Sequence, residues 1–223
     1  MSIQAVLFDL DGTLLDTALD FETAINLVLA EEGKPPLPAN GIRAYVTNGS
    51  VGVVTAAFGI TQTDSQFPRL QSQLLAHYRQ NLTGRTCLFP GLESTLSLLT
   101  EKQIPWGIVT NKPREYAVPV VSALLPESAV LVCPDDVSTP KPDPAGLLLA
   151  CEHLGVAPTQ CIYVGDHHRD IEAGTAAQMN TVSVGWGYVR DKKEHHDWGA
   201  DGAADTPADL ASILAAYLDG SPL

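Results

Sequence analysis

The sequence predicts an α/β protein in which a parallel sheet is covered by helices, with a helical block inserted near its start. Five short apolar runs rich in β-favouring residues recur along the 223 residues. Stretches of helical length with 3.6-residue periodicity separate these runs, an alternation typical of a parallel sheet. One block, from about Leu15 to Arg85, contains only helical patterns. We therefore expect a sheet-containing core that is interrupted by a helical insertion.

The first predicted strand, Ile3 to Phe8, is an apolar run that ends abruptly in Asp-Leu-Asp-Gly-Thr. A buried strand that runs into a functional loop has this pattern. The inserted block follows, and its first helix has an apolar face formed by Phe21, Ile25, Val28 and Leu29. The loop Gly33 to Pro38 separates that helix from the rest of the block, and hinges are expected at Leu14 to Thr17 and Thr83 to Pro90.

Four more strands are predicted after the insertion: Pro105 to Thr110, Ala129 to Cys133, Cys161 to Gly165 and Thr181 to Val184. Helix-capping residues mark the segments around them. One helix follows Pro90-Gly91, one is opened by Asp143 and Pro144 and ended by Gly155, and one follows Thr206-Pro207. Their predicted inward faces are Leu92, Leu96 and Leu99; Leu147, Leu148, Cys151 and Leu154; and Leu210, Ile213, Leu214, Tyr217 and Leu218.

Composition excludes several classes of function. The chain has 13 Lys and Arg against 26 Asp and Glu, a formal charge of −13, which argues against nucleic acid as a partner because phosphate-backbone binding needs an excess of cations. No apolar run approaches the length of a membrane span, and the N-terminus lacks the basic region of a signal peptide. The four cysteines show no CxxC pairing, so we expect structural thiols in a cytoplasmic protein.

The residues that directly follow the predicted strands carry the chemistry. Ligands of parallel α/β sheets bind beyond the carboxyl ends of the strands. The residues found there are Asp9 and Asp11 after the first strand, Thr110 and Asn111 after the second, Lys141 some residues after the third, and Asp166 with Asp170 after the fourth. So many converging carboxylates require a cation, and oxygen ligands without cysteine favour Mg²⁺, which leaves coordination positions for a phosphorylated substrate.

The other groups at this edge suit a phosphoryl group. Thr110 offers a hydroxyl, Asn111 an amide, Lys141 a positive charge, and Gly12-Thr13 backbone N–H groups. A carboxylate that becomes phosphorylated, with a second carboxyl two residues on to move protons, divides a slow hydrolysis into two easier steps. The spacing of Asp9 and Asp11 allows both side chains to face one centre.

Four ordered motifs in the sequence resemble those of the haloacid dehalogenase-like hydrolase superfamily. They are Phe8-Asp9-Leu10-Asp11-Gly12-Thr13-Leu14, Val109-Thr110-Asn111-Lys112, Lys141-Pro142-Asp143-Pro144, and Val164-Gly165-Asp166 with Asp170. The chain is most similar to the phosphoglycolate phosphatase group. Three tracts, Trp106 to Pro113, Leu131 to Val137 and His196 to Asp201, resemble the branch that acts on N-acetylmuramic acid 6-phosphate.

The resemblance implies a Rossmann-like parallel-sheet core of residues 1–14 and 88–223 and an inserted all-helical cap domain of residues 15–87. It implies a phosphatase with Asp9 as the nucleophile and Asp11 as the general acid and base. Thr110 and Lys141 would hold the phosphoryl oxygens. Mg²⁺ would bind the Asp9 carboxylate, the Asp11 main-chain carbonyl and Asp166, with Asp170 nearby as a direct or an outer ligand.

Several alternatives stay open on the sequence alone. The substrate is either 2-phosphoglycolate or N-acetylmuramic acid 6-phosphate, and Arg43 of the inserted block is our candidate for contacting it. A sugar phosphomutase, which uses the same aspartyl-phosphate, is one alternative. A non-catalytic phosphometabolite-binding protein of the same fold is another, although it would need a damaged motif and all four motifs are intact. His167 and His168 are expected to be solvated loop residues, with a transition-metal site shared with His195 and His196 as the alternative. We expect a monomer, with a dimer as the alternative.

Overall fold

The computed structural model describes residues 2–189, 191 and 193–220. The chain divides into two compact units. The α/β unit comprises Met1–Leu15 and Leu88–Leu223, and the helical unit comprises Asp16–Cys87. In chain order the elements are β1 (Ala5–Phe8), β2 (Leu15–Asp16), α1 (Ala18–Glu31), α2 (Gly49–Phe58), α3 (Phe67–Gln80), β3 (Cys87–Leu88), α4 (Leu92–Glu101), β4 (Trp106–Val109), α5 (Arg114–Leu124), β5 (Leu131–Val132), α6 (Ala145–Leu154), β6 (Cys161–Gly165), α7 (His168–Ala176), β7 (Asn180–Val184), β8 (Gly202–Ala204) and α8 (Pro207–Leu218).

The α/β unit is built on a six-stranded parallel sheet with the strand order β5-β4-β1-β6-β7-β8. The central strand β1 pairs with β4 on one side and with β6 on the other, so that Leu7 lies opposite both Gly107 and Tyr163. The predicted parallel α/β class and its five strands are confirmed. The edge strand β8 was not predicted, because its residues Gly-Ala-Ala lack the β-branched and aromatic side chains that favour strands.

Burial explains why the central strands β1 and β6 are rich in apolar residues. All four residues of β1 and all five of β6 are buried, as expected for a parallel sheet covered on both faces. Val132, Leu147 and Ala150 join Leu7 and Tyr163 in one core cluster, which packs α6 against the sheet. The cysteines are free thiols, and Cys133, Cys151 and Cys161 lie in the core whereas Cys87 is exposed.

The helix boundaries lie close to those predicted from capping residues. Asp143 accepts a hydrogen bond from the backbone N–H of Ala145, so α6 starts one residue after the predicted Pro144, and it ends at Gly155 in the left-handed region. The hydroxyl of Thr206 accepts from the N–H of Asp209 at the start of α8. On α4 the predicted inward Leu96 is half-buried, and Thr95 takes the buried position in its place.

The helical unit consists of α1, α2, α3 and the short 3₁₀ helix Arg43–Asn48. The rings of Phe21 on α1 and Tyr78 on α3 stack at a centroid distance of 3.9 Å. Asp20, which is buried, accepts hydrogen bonds from the backbone N–H groups of Arg85 and Thr86 and from the Thr86 hydroxyl. These bonds tie the segment that leaves the unit to its first helix. Among the described residues, no helix has the length and hydropathy needed to cross a membrane.

Candidate active site

The site lies at the carboxyl edge of the three central strands of the α/β unit. Asp9 directly follows β1, Thr110 follows β4, and Asp166 follows β6. Because β4, β1 and β6 are neighbours, their ends meet at one place. Carboxylate oxygens of Asp9, Asp166 and Asp170 lie within 4.8 Å of one another. The sequence-predicted convergence of these three aspartates is therefore found in the structure.

Lys141 is the cation at the centre of this acidic group. Its Nζ lies 2.9 Å from Asp9 Oδ1 and 2.7 Å from Asp170 Oδ1, and the side chain is 2% exposed. Nζ donates to Asp170, to the backbone carbonyl of Val109 at 3.0 Å and to the hydroxyl of Tyr163 at 2.6 Å. The Tyr163 hydroxyl in turn donates to the Val109 carbonyl. Burial lowers the pKa of Lys141, but Asp170 and Asp9 outweigh it and the pKa lies above its usual value.

Asp9 is left with an unsatisfied oxygen. Lys141 Nζ has four acceptor atoms within 3.0 Å, Asp9 Oδ1 among them, and an ammonium group has three protons to share among them. No group in the described part of the chain donates a hydrogen bond to Asp9 Oδ1, although it is buried. Burial raises the pKa of Asp9 to about 6 despite the attraction of Lys141. A buried, charge-bearing oxygen without a hydrogen-bond donor is suited to contact a cation or an incoming group.

Asp166 occupies a narrow space beside Asp9. It accepts hydrogen bonds from the Thr13 hydroxyl at 3.0 Å and from the backbone N–H of Tyr188 at 2.8 Å. A Cβ added to Gly12 or to Gly187 would lie 2.2 Å from Asp166 Oδ2, so both glycines are needed for this carboxylate to fit. Burial, followed by repulsion from Asp9 and Asp170, raises the pKa of Asp166 to about 8.

These observations fit a bound divalent cation. Burial and mutual repulsion of Asp9 and Asp166 oppose their ionised forms, and a cation between them would remove that penalty. The donor set is made of oxygen atoms, which hard cations prefer. The site is thus a metal-site candidate on its own chemistry, in agreement with the metal dependence expected from the sequence.

Asp170 is already engaged at both oxygens. Oδ1 accepts from Lys141, and Oδ2 accepts from the backbone N–H of His167 at 3.1 Å. The second bond is half of a capping box at the start of α7, in which the His167 ring accepts from the N–H of Arg169. Asp170 therefore holds Lys141 through one of its oxygens, and its place as a direct or an outer metal ligand stays a prediction.

His167 differs from its prediction as a solvated loop residue. It is half-buried and caps α7 through its ring nitrogen, a role that requires the neutral imidazole. Burial, and then the charge of Arg169, lowers the pKa of His167 to about 4. The alternative prediction is a transition-metal site that joins it to His195 and His196. Among the described residues, the structure brings His195 and His196 together with Asp205 and not with His167. His195 and His196 instead both hydrogen-bond to Asp205.

Asp11 does not join the other carboxylates. Its Oδ1 accepts a hydrogen bond from Nζ of Lys112 at 2.9 Å. Lys112 belongs to one of the predicted motifs but had no predicted role. A signal was available in its position, because it lies two residues after Thr110 at the edge of the sheet where ligands bind.

Asn111 and Thr110 make specific contacts within the site. The Asn111 side chain donates to the backbone carbonyl of Lys141 at 2.9 Å and accepts from its N–H at 3.0 Å. Asn111 thereby fixes the loop that carries Lys141, and a contact from its amide to a phosphoryl group stays a prediction. Thr110 is buried, and its hydroxyl accepts from the N–H of Lys112.

Arg43, our candidate for contacting the substrate, belongs to the helical unit. One of its guanidinium nitrogens donates to both carboxylate oxygens of Asp16, at 2.9 and 2.8 Å. The Arg43 side chain is 25% exposed in this pair. The structure therefore shows an intra-unit partner for Arg43, and its contact with substrate stays a prediction.

Comparison with known proteins agrees with this site. Residues 6–184 match the model of a family described as haloacid dehalogenase-like hydrolase. An N-acetylmuramic acid 6-phosphate phosphatase of Pseudomonas putida is 38% identical over 222 residues, which cover 99% of this chain and 100% of that protein. A phosphoglycolate phosphatase of Xanthomonas campestris is 39% identical over 210 residues, which cover 93% of this chain and 94% of that protein.

The solved structures give the same picture of the fold. A crystal structure of a predicted phosphoglycolate phosphatase from Haemophilus somnus matches with a TM-score of 0.80 and 25% identity, covering 96% of this chain and 99% of that one. The fold, the acidic site and the relatives together define an enzyme of the phosphatase class. The chain belongs to the haloacid dehalogenase-like hydrolase family.

Proposed function

We propose that this protein is a Mg²⁺-dependent phosphatase that hydrolyses a small phosphomonoester through an aspartyl-phosphate on Asp9. The observation that carries the proposal is the buried Asp9 Oδ1, which faces the charge of Lys141 without receiving a hydrogen bond. Such an oxygen is held in place yet keeps a free electron pair, as a nucleophile requires.

In the first step an oxygen of Asp9 attacks phosphorus and the ester bond to the leaving alcohol breaks. Asp11 gives a proton to that alcohol, and the aspartyl-phosphate forms. In the second step Asp11, now ionised, takes a proton from water, which attacks the acyl phosphate and releases inorganic phosphate. Asp9 returns to its starting form, so the aspartate pair completes one hydrolysis without net change.

The remaining residues hold the phosphoryl group during both steps. Thr110, Lys141 and the backbone N–H groups of Gly12 and Thr13 would contact its oxygens. Lys141 has no spare proton in the structure, so a phosphoryl oxygen would take over one of its present hydrogen bonds. Mg²⁺, held by Asp9, the Asp11 carbonyl and Asp166, would neutralise the charge of the transferring group.

The two candidate substrates share a carboxylate besides the phosphate. Both 2-phosphoglycolate and N-acetylmuramic acid 6-phosphate carry one, and the relatives named for each are almost equally similar to this chain. An arginine recognises a carboxylate through two parallel hydrogen bonds, and Asp16 already engages Arg43 through both of its oxygens. We propose that Arg43 selects the leaving group and that Asp16 holds the guanidinium ready for it.

The test is phosphate release with Mg²⁺ from the two substrates side by side, compared as kcat/KM, with Asp9→Asn as the blank. A preference of about 100-fold, near 2.7 kcal/mol of transition-state binding, would identify the substrate. Arg43→Lys should lower kcat/KM for the preferred substrate while leaving inorganic phosphate binding unchanged. Isomerised sugar phosphate without free phosphate would favour a mutase, and no turnover of a wider phosphoester panel would refute the phosphatase.

A further inference from the structure

Lys112 is a buried lysine in the α/β unit to which the proposed mechanism gives no task. It comes two residues after Thr110 at the end of β4, and its side chain is 4% exposed. Its Nζ lies 2.9 Å from Asp11 Oδ1, whose side chain is 21% exposed. The lysine thus spans from the β4 edge of the site to the loop that follows β1.

Burying an ammonium group is costly, because it loses its hydration and must recover that energy from its partners. A lysine with only a structural task at a loop would keep its charged end in solvent, as long side chains usually do. The ammonium group of Lys112 instead contacts the carboxylate of Asp11, which is proposed to transfer protons. Its base is fixed as well, since the backbone N–H of Lys112 donates to the Thr110 hydroxyl.

The two buried lysines of the site have different partners. Lys141 forms ion pairs with Asp9 and Asp170, and Lys112 forms an ion pair with Asp11. Lys141 thus contacts the carboxylate proposed to attack, and Lys112 contacts the carboxylate proposed to transfer protons. Asp11 needs such a support, because a general acid works only within hydrogen-bond distance of the departing oxygen.

We propose that Lys112 is a positioning residue for Asp11, which it holds in the orientation that general acid–base catalysis requires. The inference rests on the proposed function, since it assigns the proton-transfer role to Asp11. Lys112 contributes most where the leaving group needs a proton and least where the leaving group departs as a stable anion.

The test compares two substrates in the Lys112→Met variant. The alkyl phosphomonoester that the wild-type enzyme prefers has a poor leaving group, and p-nitrophenyl phosphate has a good one. We expect kcat/KM to fall about 30-fold or more for the alkyl ester and about threefold or less for p-nitrophenyl phosphate. Lys102→Met is the matched control, because it removes a surface lysine paired with Asp219 in the same unit, and it should change neither value.

A double-mutant cycle on the alkyl ester, where Lys112→Met alone is expected to cost about 30-fold, separates this role from others. If Lys112 acts through Asp11, adding Lys112→Met to Asp11→Ala should have no further effect. Equal losses for both substrates, or a further loss in the Asp11→Ala background, would overturn the inference and place Lys112 on the phosphoryl group or in the structure. A wild-type enzyme without activity on any phosphoester would instead refute the proposed function, so the two failures are distinguishable.

Discussion

At the scale of single residues, the site depends on how the three protons of one lysine are shared. Lys141 donates to Val109, Tyr163 and Asp170, and Asp9 Oδ1 keeps the ion pair with Lys141 but no aligned hydrogen bond. The network around Lys141 thus holds the ammonium group 2.9 Å from Asp9 Oδ1.

Tyr163→Phe tests that network. The change removes the hydroxyl that accepts from Lys141 and donates to the Val109 carbonyl, both in fully buried surroundings. We expect a loss of about 1–3 kcal/mol in the free energy of unfolding, measured with urea, and a lower kcat. Tyr217→Phe on α8 is the control. A variant as stable and as active as the wild type would show that the hydroxyl plays no part in holding Lys141.

Gly187→Ala tests the space around Asp166. The added methyl group would lie 2.2 Å from Asp166 Oδ2, and the backbone there is not in the left-handed region, so crowding alone is changed. We expect the affinity for Mg²⁺ to fall about tenfold or more, measured by calorimetry. Gly84→Ala in the helical unit, whose added methyl group would lie no closer than 3.3 Å to a neighbouring atom, should leave that affinity intact. Unchanged binding in Gly187→Ala would contradict the placement of the metal at Asp166.

The sequence predicts the residues of this site better than their partners. Asp9, Asp166 and Lys141 could be identified because each follows a recognisable strand or motif, and strand ends meet at one edge. The pairing of Lys112 with Asp11 and of Asn111 with the Lys141 backbone could not, since it depends on side-chain directions in loops. Periodicity carries no information on those directions.

At the scale of secondary-structure elements, capping residues fix where the helices begin. Thr206 and Asp209 form a reciprocal capping box, in which each side chain accepts from the backbone N–H of the other. Because this pattern is local in sequence, it was predictable. The cap of α7 was not, because His167 is an unusual N-cap whose burial keeps its ring neutral. The edge strand β8 could not be predicted either. Its residues have a low propensity for strands, and it forms because it pairs with β7.

Thr206→Ala measures the worth of the α8 cap. The variant loses the hydroxyl that accepts from the N–H of Asp209, so we expect the free energy of unfolding to fall by about 1 kcal/mol. Hydrogen exchange at the first turn of α8 should increase in parallel. Thr206→Ser should restore both values, and Thr100→Ala, at the exposed end of α4, should change them little. Equal stabilities of Thr206→Ala and the wild type would show that the capping box contributes nothing.

At the scale of the whole molecule, the acidic site makes stability depend on pH and metal together. The pKa of Asp166 is about 8 and that of Asp9 about 6 in the folded chain, against 3.8 as the ordinary value. At pH values between 3.8 and each raised pKa, the folded state keeps a proton on the carboxyl group that the unfolded state has released. The metal-free protein should therefore lose stability as the pH rises from about 4 to about 8.

A divalent cation bound at these carboxylates would replace those protons and remove the penalty. We expect Mg²⁺ to raise the Tm more at about pH 8 than at about pH 5.5, because the carboxylates are ionised only at the higher pH. Calorimetric scans with Mg²⁺ and with EDTA at both pH values measure this difference. Asp166→Asn should abolish most of it. A shift of equal size at both pH values would contradict the assignment of the raised pKa values to the metal site.

The path of the chain through its two units has a consequence for how such enzymes diversify. The chain leaves the α/β unit at Leu15 and returns at Leu88, on the short strands β2 and β3, which pair with each other. Paired strands lie about 4.8 Å apart, so a tight turn could close the gap. The helical unit is encoded by one contiguous piece of gene, codons 16 to 87. This piece can be exchanged without changing any codon of the acidic site. Recombination at the two ends of this piece, which are adjacent in space but not in the gene, would replace the helical unit and keep the acidic site.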